Sequence, residues 1–447
     1  MRTLVVWPPH VPSYFNAGHH LPTFTIAAYL RGRGHEVTAI DAGALNCTWK
    51  EFGDTVFRGG YDAVVLVNEY DVVEGVRRAA DYTRQLAPGA LIVTVGRLSY
   101  QNPEFMQSMA VDAVVSSGDY EAGVAAALGW AARGRQPNES LPGVWLRTVG
   151  GWRAPSGPGT WLPAAEWVLP DVDEIPYPAY ESLYKNDDNR FCGIPSRREL
   201  VVQVARGCPV GCDFCDVPPM QGLRERRITV ERTIGYIREC FARHPFEYVA
   251  FYAPTFTLDK RWIRQLCDGL AAEPRTYRWK CATTLFHLDE DMVRRMGEAG
   301  CIRISVGVET LDEDASGQLP KLKERANQRL HDVIAWCEKA GIELNCFVIV
   351  GLPGTTPAGT QRTVDLLTAA GARVRPTLYT PYQHMHGAMS EREVSAFNRQ
   401  VFTGSEEVLQ SGHAPTEFLR FIFGGHQYRT EVMRNIPLAQ RQPAELS

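Results

Sequence analysis

The chain has 447 residues, enough for two or three domains that each bury a core. Its composition, with 45% hydrophobic and 22% charged residues, is that of a soluble globular protein, and no apolar run approaches the length of a membrane span. The formal net charge of −4 argues against a nucleic-acid partner. Eleven cysteines in so long a chain do not indicate a disulfide scaffold, so we expect a reducing cytoplasm as the location.

Residues 1–130 predict a doubly wound α/β domain. Short segments rich in Val, Ile and Leu alternate with helical segments, which is typical of a parallel sheet buried on both faces. The predicted strands cover 4–7, 37–41, 63–68, 91–96 and 112–118. Residues 131–197 are rich in Pro, Gly and Trp and lack periodicity, and we interpret them as a linker layer.

Residues 198–385 predict six successive strand–helix units. This pattern is typical of a partial barrel, in which the chemistry lies at the C-terminal ends of the strands. We interpret residues 386–447 as a small helical C-terminal extension.

The segment RGCPVGCDFC, residues 206–215, directly follows the first predicted barrel strand. It places Cys208, Cys212 and Cys215 at spacings of four and three residues. A structural zinc site would need a fourth Cys or His at a matching spacing, and the other eight cysteines are scattered singly. The pattern therefore favours three ligands on one cluster with an open coordination position.

This loop resembles that of the radical S-adenosylmethionine (SAM) superfamily, whose mark is C-x3-C-x2-C with an aromatic residue, here Phe214, before the third cysteine. The resemblance implies that the three thiolates hold three irons of a [4Fe–4S] cluster. The fourth iron would chelate SAM, whose cleavage by one electron gives a 5′-deoxyadenosyl radical. Such a site has to be buried, because the radical attacks nearby C–H bonds.

The resemblance extends from about residue 170 to 385 and implies further cofactor-binding residues. Glu309 would reach the SAM amino or ribose groups, and Gly351 would let the backbone approach adenine. The alternatives are an ion-paired barrel carboxylate at Glu309 and simple turn glycines at Gly351 and Gly354. The remaining candidates for cofactor binding are Phe214, Arg227, Glu239 and Thr283.

A doubly wound domain ahead of such a barrel resembles the cobalamin-binding branch of the superfamily. That branch offers a Gly-Gly pair after the fourth strand and a G-E-G-E-like run after the fifth, where small residues leave room for the corrin. Here Arg97 follows Gly96, and Tyr120 stands in the second run, so bulk replaces two glycines. We therefore expect a domain that keeps its fold and lacks cobalamin. His10, His19, His20 and His35 are interpreted as loop or capping residues rather than as cobalt ligands.

Without a corrin to carry a methyl group, the prediction is hydrogen abstraction followed by elimination, oxidation or epimerisation. The chain length and the altered first domain resemble the radical SAM diol dehydratases of aminoglycoside deoxygenation. This resemblance implies that an amino sugar such as paromamine loses water and that a nicotinamide-dependent reductase then acts on the product. The catalytic candidates at strand ends are Tyr252, Tyr382 and His384, with Thr283, Tyr379 and His386 as further candidates for substrate contact.

Two alternatives stay open. One is a cobalamin-dependent radical SAM C-methyltransferase of natural-product biosynthesis, which corrin absorbance would distinguish from a dehydratase. The other is a non-catalytic iron–sulfur sensor, which would have no reason to keep Glu309 and Gly351. The expected partners are a small-molecule substrate and a reductant protein, flavodoxin or ferredoxin, with no nucleic acid and no membrane.

Overall fold

The computed structural model describes residues 1–10, 20–182, 192, 194, 198–312, 315 and 319–396. These residues belong to two compact units. Unit 1 comprises the described residues within Met1–Tyr184, Asp216–Arg224 and Pro381–Gln400. Unit 2 comprises those within Lys185–Cys215 and Glu225–Thr380.

Unit 1 is built on a seven-stranded sheet. Its strands are β1 (Arg2–Trp7), β2 (Glu36–Asp41), β3 (Ala63–Asn68), β4 (Leu91–Gly96), β5 (Ala113–Val115), β6 (Val144–Thr148) and β7 (Gly151–Arg153). The order is β2-β1-β3-β4-β5-β6-β7, in which the first five strands are parallel and the last two pairings are antiparallel. In such sheets ligands bind at the carboxyl edge, where the strand order reverses.

The continuous apolar runs of these strands are buried on both faces of the sheet. Leu4, Val64 and Leu66 pack in one core, whereas their neighbours Val5 and Val65 pack in the other. Successive side chains of a strand point to opposite faces, so a run without polar residues requires helices on both sides. The doubly wound arrangement predicted from the sequence is confirmed.

Helices cover both faces of this sheet. Helix Trp49–Gly59 begins with a capping box between Thr48 and Glu51 and ends at Gly60, whose φ of 58° suits glycine. The helices are α1 (Leu21–Arg31), α2 (Trp49–Gly59), α3 (Val73–Leu86), α4 (Arg97–Gln101), α5 (Pro103–Gln107), α6 (Tyr120–Ala132), α7 (Tyr177–Ser182) and α8 (Val217–Gln221).

Unit 2 contains six parallel strands whose spatial order follows the chain. Two short antiparallel segments form a separate ribbon beside them. This is the predicted partial barrel, and the fold class is confirmed. The strands are β8 (Glu199–Gln203), β9 (Ala205–Arg206), β10 (Arg226–Arg227), β11 (Tyr248–Tyr252), β12 (Trp279–Thr283), β13 (Cys301–Glu309), β14 (Glu343–Val350) and β15 (Arg373–Leu378).

Four helices of unit 2 begin at residues whose side chains cap them. The side chains of Thr229, Asp259, Asp289 and Thr356 each accept a hydrogen bond from a backbone N–H of the first turn. The helices are α9 (Val230–Arg243), α10 (Lys260–Ala271), α11 (Glu290–Glu298), α12 (Lys321–Asn327), α13 (Leu330–Lys339) and α14 (Pro357–Ala369), followed in unit 1 by α15 (Glu391–Ala396).

The structure differs from the sequence interpretation in residues 131–197. Strands β6 and β7 of this region extend the seven-stranded sheet, so part of the expected linker layer belongs to the first sheet. Of the expected extension 386–447, residues 391–396 form α15, and residues 397–447 lie outside the described part. The proposed domain boundaries stay predictions. No helix among the described residues combines the length and the apolar character needed to cross a bilayer.

Candidate active site

The cysteine loop follows β8 and β9 in unit 2, at the carboxyl end of the first barrel strand. Gly207 and Gly211 have φ values of 86° and 69°, which only glycine adopts without strain. The backbone N–H of Cys215 donates to the carbonyl oxygen of Cys212 at 3.0 Å and closes a tight turn. These contacts fold the ten-residue segment so that its three cysteines lie on one short loop.

The three cysteines are thiols rather than disulfides in the structure. Cys208 is buried, and its Sγ lies 3.5 Å from Thr255 Oγ1 beyond the end of β11, whereas Cys212 and Cys215 are half-buried. Burial raises the pKa of the Cys212 thiol, and the nearby Lys323 ammonium opposes this rise. A cationic group beside thiols favours their ionised, iron-binding form.

No three His, Cys, Asp or Glu side chains in the described ranges converge as ligands of one metal ion. A four-iron cluster makes a different demand, because each cysteine binds a separate iron and the thiolates need not meet at a point. A donor set of three thiols on one loop fits such a cluster with one iron left for a ligand.

Glu309 and Lys323 form a buried ion pair in unit 2. Their side chains are only 8% and 10% exposed, and Lys323 Nζ donates to Glu309 Oε1. Burial lowers the pKa of Lys323, but the charges of Glu309 and the cysteine thiolates outweigh it, so the pKa is raised overall. The ammonium also lies 5.3 Å from the centre of the Phe214 ring, within cation–π range.

The backbone around this pair is unusual. Glu309 ends β13 with a φ of 67°, and the register of β13 against β14 shifts between Gly307 and Glu309. A Cβ atom on Gly307 would lie 2.2 Å from Glu309 Oε1 and 2.8 Å from Lys323 Nζ. Glycine at 307 therefore leaves the room in which both charged groups lie.

A small pocket adjoins the ion pair. Its lining includes Val210 of the cysteine loop, Thr284 after β12, Gly307 of β13 and Lys323 of α12. The pocket thus joins the loop with the carboxyl ends of the central barrel strands, where a partial barrel places its chemistry.

Two of the other cofactor candidates lie inside the barrel structure. The Arg227 guanidinium donates to both Glu225 carboxylate oxygens at 2.9 Å and to the Phe256 carbonyl oxygen at 3.0 Å. Thr283 is buried, and its hydroxyl lies 2.6 Å from that of Thr257. These contacts hold the segment after β11 against β10 and β12.

Gly351 follows β14 with a φ of 80°, consistent with the need for glycine there. Glu239, by contrast, lies on the exposed face of α9 and pairs with Arg243 one turn later. The structure thus brings Phe214 and Glu309 together with Lys323 and leaves Glu239 in a surface ion pair. The cofactor roles of these residues stay predictions.

The catalytic candidates are divided between the two units. Tyr252 is the last residue of β11 and is 49% exposed, and Tyr379 is buried just after β15. Tyr382 belongs to unit 1, where its ring stacks on Tyr70 at 5.5 Å. His384 and His386 belong to unit 1 as well and are exposed. Their catalytic roles stay predictions.

At the carboxyl edge of the unit 1 sheet, the side chain of Arg97 takes the position expected for a small residue. Its Nε lies 3.3 Å from Glu69 Oε2 and 3.2 Å from Asp216 Oδ2. Burial lowers the pKa of Arg97, but the two carboxylates outweigh it and raise the pKa well above its usual value. The guanidinium lies 5.8 Å from the Tyr70 ring, which in turn stacks on Tyr382.

Gly118, the first residue of the run after the fifth strand, is covered by the chain itself. A Cβ atom there would lie 2.6 Å from Thr160 N, and the Asp119 N–H donates to the Thr160 carbonyl oxygen at 2.8 Å. The described residues of this edge, filled by Arg97 and residues 159–160, therefore do not fit a flat corrin ring. We assign no step of the chemistry to cobalamin.

The Radical SAM superfamily profile matches residues 202–367. These residues include the cysteine loop, strands β11 to β14 and most of α14. This part of the chain is a radical SAM domain. The prediction made from the cysteine spacing and the strand–helix alternation is confirmed, and the superfamily implies a [4Fe–4S] cluster and SAM as cofactors.

The curated relatives that are similar to this chain are methyltransferases by name. An uncharacterized methyltransferase of Pyrococcus horikoshii is 25% identical over 256 residues, which cover 56% of this chain and 54% of the relative. Bacteriochlorophyllide d C-12(1)-methyltransferase of Chlorobaculum tepidum is 24% identical over 171 residues, 38% of this chain and 37% of that enzyme. The match thus spans about half or less of these relatives.

A solved structure shares the fold of this chain over most of its length. The radical SAM methyltransferase TsrM from Kitasatospora setae, with its tryptophan substrate and a SAM analogue bound, superimposes with a TM-score of 0.69. The identity is 19%, and the match covers 85% of this chain and 74% of TsrM. TsrM has also been solved with cobalamin and a [4Fe–4S] cluster bound.

The prediction of a diol dehydratase acting on an amino sugar is wrong, because the relatives are named methyltransferases. The error arose from inferring the reaction from two bulky residues, Arg97 and Tyr120, in loops of unit 1. Loss of a corrin face does not remove the methyl donor, since SAM itself carries the methyl group as well as the adenosyl group.

Sequence reasoning also missed Lys323. The signal was present in the segment KLKERAN, where Lys323 stands three residues before the buried Ala326. This spacing places the lysine on the inward face of a helix. A charged residue on such a face needs a buried partner.

Proposed function

We propose that this chain is a radical SAM methyltransferase that transfers a methyl group from SAM to a carbon atom of a small substrate. The observation that carries the proposal is that the relatives similar to this chain are methyltransferases by name. The cysteine loop and the Glu309–Lys323 pair supply the supporting geometry.

In this proposal Cys208, Cys212 and Cys215 would hold the [4Fe–4S] cluster, which when bound supplies one electron to SAM. The buried strand ends around Gly307 and Thr284 would exclude water from the radical. A reductant protein, flavodoxin or ferredoxin, would deliver the electron. The matches cover only about half or less of the relatives. We therefore propose the substrate only as a small organic molecule.

The experiment follows the methyl group. The anaerobically reconstituted protein is incubated with SAM that is deuterated in its methyl group, with strong reductant and with a panel of small metabolites, in arms with and without hydroxocobalamin. We expect a product that carries the trideuteromethyl group. Turnover that gives 5′-deoxyadenosine with no labelled product in any arm would contradict the proposal.

The control is the triple variant C208A/C212A/C215A. It should lose the broad visible absorbance of the cluster, SAM cleavage and methyl transfer together, because no other cysteines lie on the loop. The matched variant is Cys240→Ala, whose thiol is buried in α9 and should be dispensable for the cluster. A triple variant that still assembles a four-iron cluster would contradict the ligand assignment.

A further inference from the structure

A buried hydroxyl group adjoins the cysteine loop in unit 2. Thr255, beyond the end of β11, is 2% exposed, and its Oγ1 lies 3.5 Å from the Sγ of Cys208. The described part of the chain gives this hydroxyl one hydrogen-bond partner, the Cys208 sulfur. A buried hydroxyl with no partner would lose its hydration without compensation, so the contact with the sulfur is the one that satisfies the group.

The backbone of Thr255 is held from two sides. Its carbonyl oxygen accepts hydrogen bonds from the Leu258 N–H at 3.2 Å and from the Arg227 guanidinium at 3.4 Å. The next residue, Phe256, donates its N–H to the Ala282 carbonyl oxygen of β12 at 2.9 Å, and its own carbonyl oxygen accepts from Arg227 at 3.0 Å. These contacts fix the segment after β11, and with it the hydroxyl, relative to the barrel strands.

Arg227 is a rigid support for this segment because its own charge is balanced. Its side chain is 6% exposed, and it donates to both carboxylate oxygens of Glu225 at 2.9 Å. The guanidinium also packs on Trp262, 4.7 Å from the ring centre. A bidentate ion pair has a defined orientation, and the cation–π contact restrains the guanidinium further.

The direction of the hydrogen bond between Thr255 and Cys208 depends on the state of the sulfur. In the thiol form either atom can donate. A cysteine that binds iron is a thiolate, which has no proton and can only accept. The hydroxyl then has to be the donor and the sulfur the acceptor.

A donor at a ligand sulfur affects the two oxidation states of a cluster differently. Reduction adds one negative charge to a [4Fe–4S] cluster and its thiolates, and a hydrogen bond to a more negative acceptor is stronger. The donor therefore stabilises the reduced state more than the oxidised state. Hydrogen bonds to the sulfurs are accordingly among the factors that set the reduction potential of iron–sulfur clusters.

We propose that the Thr255 hydroxyl donates a hydrogen bond to the Cys208 thiolate of the assembled cluster and raises its reduction potential, and that Arg227 is the positioning residue for this hydroxyl. The step that it favours is the uptake of one electron from the flavodoxin or ferredoxin reductant, and no proton is transferred. The inference rests on the cluster assignment in the proposed function and is independent of which group SAM transfers.

The test is a redox titration of the cluster, followed by electron paramagnetic resonance. The wild type, Thr255→Val and Thr255→Ser are reconstituted anaerobically, matched in iron and sulfide content, and titrated without SAM. Thr255→Val removes the hydroxyl and keeps the shape of the side chain. For this variant we expect the equilibrium constant of reduction to fall about 3- to 10-fold, a downward shift of about 30–60 mV at about 59 mV per tenfold change. Thr255→Ser keeps the hydroxyl and should stay near the wild-type potential.

A second pair of variants tests the positioning role of Arg227. Arg227→Lys keeps the positive charge and loses the forked donors that hold two carbonyl groups. It should lower the potential when Thr255 is present and should have no further effect in the Thr255→Val background. Equal shifts in both backgrounds would overturn the positioning role.

The control variant is Thr233→Val, which removes a buried hydroxyl of α9 that donates to the Thr229 carbonyl oxygen at 2.8 Å, and it should keep the wild-type potential. An unchanged or raised potential in Thr255→Val would overturn the inference. Equal shifts in Thr255→Val and Thr255→Ser would overturn it as well, because altered packing rather than the hydroxyl would then be the cause.

The remaining outcomes separate this inference from the proposed function. Should Thr255→Val not assemble a cluster, Thr255→Ala decides by the same criterion. A wild type that assembles no cluster would contradict both the ligand assignment and this inference. The expected difference in potential without methyl transfer would contradict the proposed function alone.

Discussion

At the scale of single residues, burial in unit 1 determines the charge state of His20. Its ring stacks on Trp7 with centroids 3.7 Å apart, and its Nδ1 lies 3.3 Å from Thr23 Oγ1. Its Nε2 is buried and has no hydrogen-bond partner among the described residues. Burial, together with the nearby His10, lowers the pKa of His20 well below 6.5, so the folded chain keeps this imidazole neutral.

This shift predicts a pH dependence of stability. Because the folded pKa is lowered, the unfolded chain takes up the proton first as the pH falls below about 6.5. Above about pH 6.5 the neutral His20 therefore costs the folded state no stability. Below this pH, the free energy of unfolding falls by at most about 1.4 kcal/mol per pH unit. We expect His20→Phe, which keeps an aromatic ring on Trp7, to reduce the difference in unfolding midpoint between pH 7.5 and pH 5.5.

Urea unfolding at the two pH values measures this difference. His331→Gln, at an exposed position on α13, is the control and should preserve the wild-type difference. If the unfolding midpoint falls as much between pH 7.5 and pH 5.5 in His20→Phe as in the wild type, other groups cause the pH dependence.

At the scale of elements, helix α9 of unit 2 has the N-terminal cap and the apolar face that its sequence predicts. Helix α9 begins at the Thr229 cap and buries Ile234, Ile237 and Phe241 along one face. Gly235 lies on its exposed side, and a Cβ atom there would meet nothing within 4 Å. The position has no evident need for glycine in the described structure.

Gly235→Ala should therefore stabilise unit 2. Alanine loses less conformational freedom than glycine in a helix, and the expected gain is about 0.5–1 kcal/mol in the free energy of unfolding. The matched variant is Gly269→Ala in α10, where the new Cβ would lie 2.5 Å from Ile234 Cδ1 and the gain should be offset by this clash. Urea unfolding of both variants measures the difference, and equal midpoints would contradict the packing argument.

At the scale of the whole molecule, the chain combines a cobalamin-domain-like unit with a radical SAM unit, yet the carboxyl edge of unit 1 is filled. Arg97 is held by two carboxylates, and residues 159–160 cover Gly118. A ring that entered this edge would have to break the ion pairs of Arg97 with Glu69 and Asp216. The cost of uncompensated buried charges opposes binding.

We therefore expect no binding of hydroxocobalamin by the purified protein at about 10 μM, an affinity of roughly −7 kcal/mol. Equilibrium dialysis with absorbance detection measures it. Arg97→Gly alone should not create a site, since residues 159–160 still cover Gly118. A stoichiometric corrin retained by the wild type would overturn this expectation and assign methyl transfer to cobalamin.

The sequence by itself determined the features that depend on neighbours along the chain. Cys208, Cys212 and Cys215 lie on one loop, so their spacing along the chain is enough to recognise them. The alternation of apolar segments and helices specifies parallel sheets through local periodicity. Both predictions, the radical SAM superfamily and the two-sheet α/β fold, were confirmed for this reason.

Only the tertiary structure decided which distant residues meet. Lys323 reaches Glu309 across 14 positions, and Arg97 reaches Asp216, the residue directly after the third cysteine, from a different strand end. Strands β6 and β7 join the first sheet by antiparallel pairing that their short, weakly periodic sequences do not specify. Such contacts depend on how the chain folds back on itself, and local spacing does not encode them. The ion pair at the site and the filled edge of unit 1 could therefore be recognised only in the folded structure.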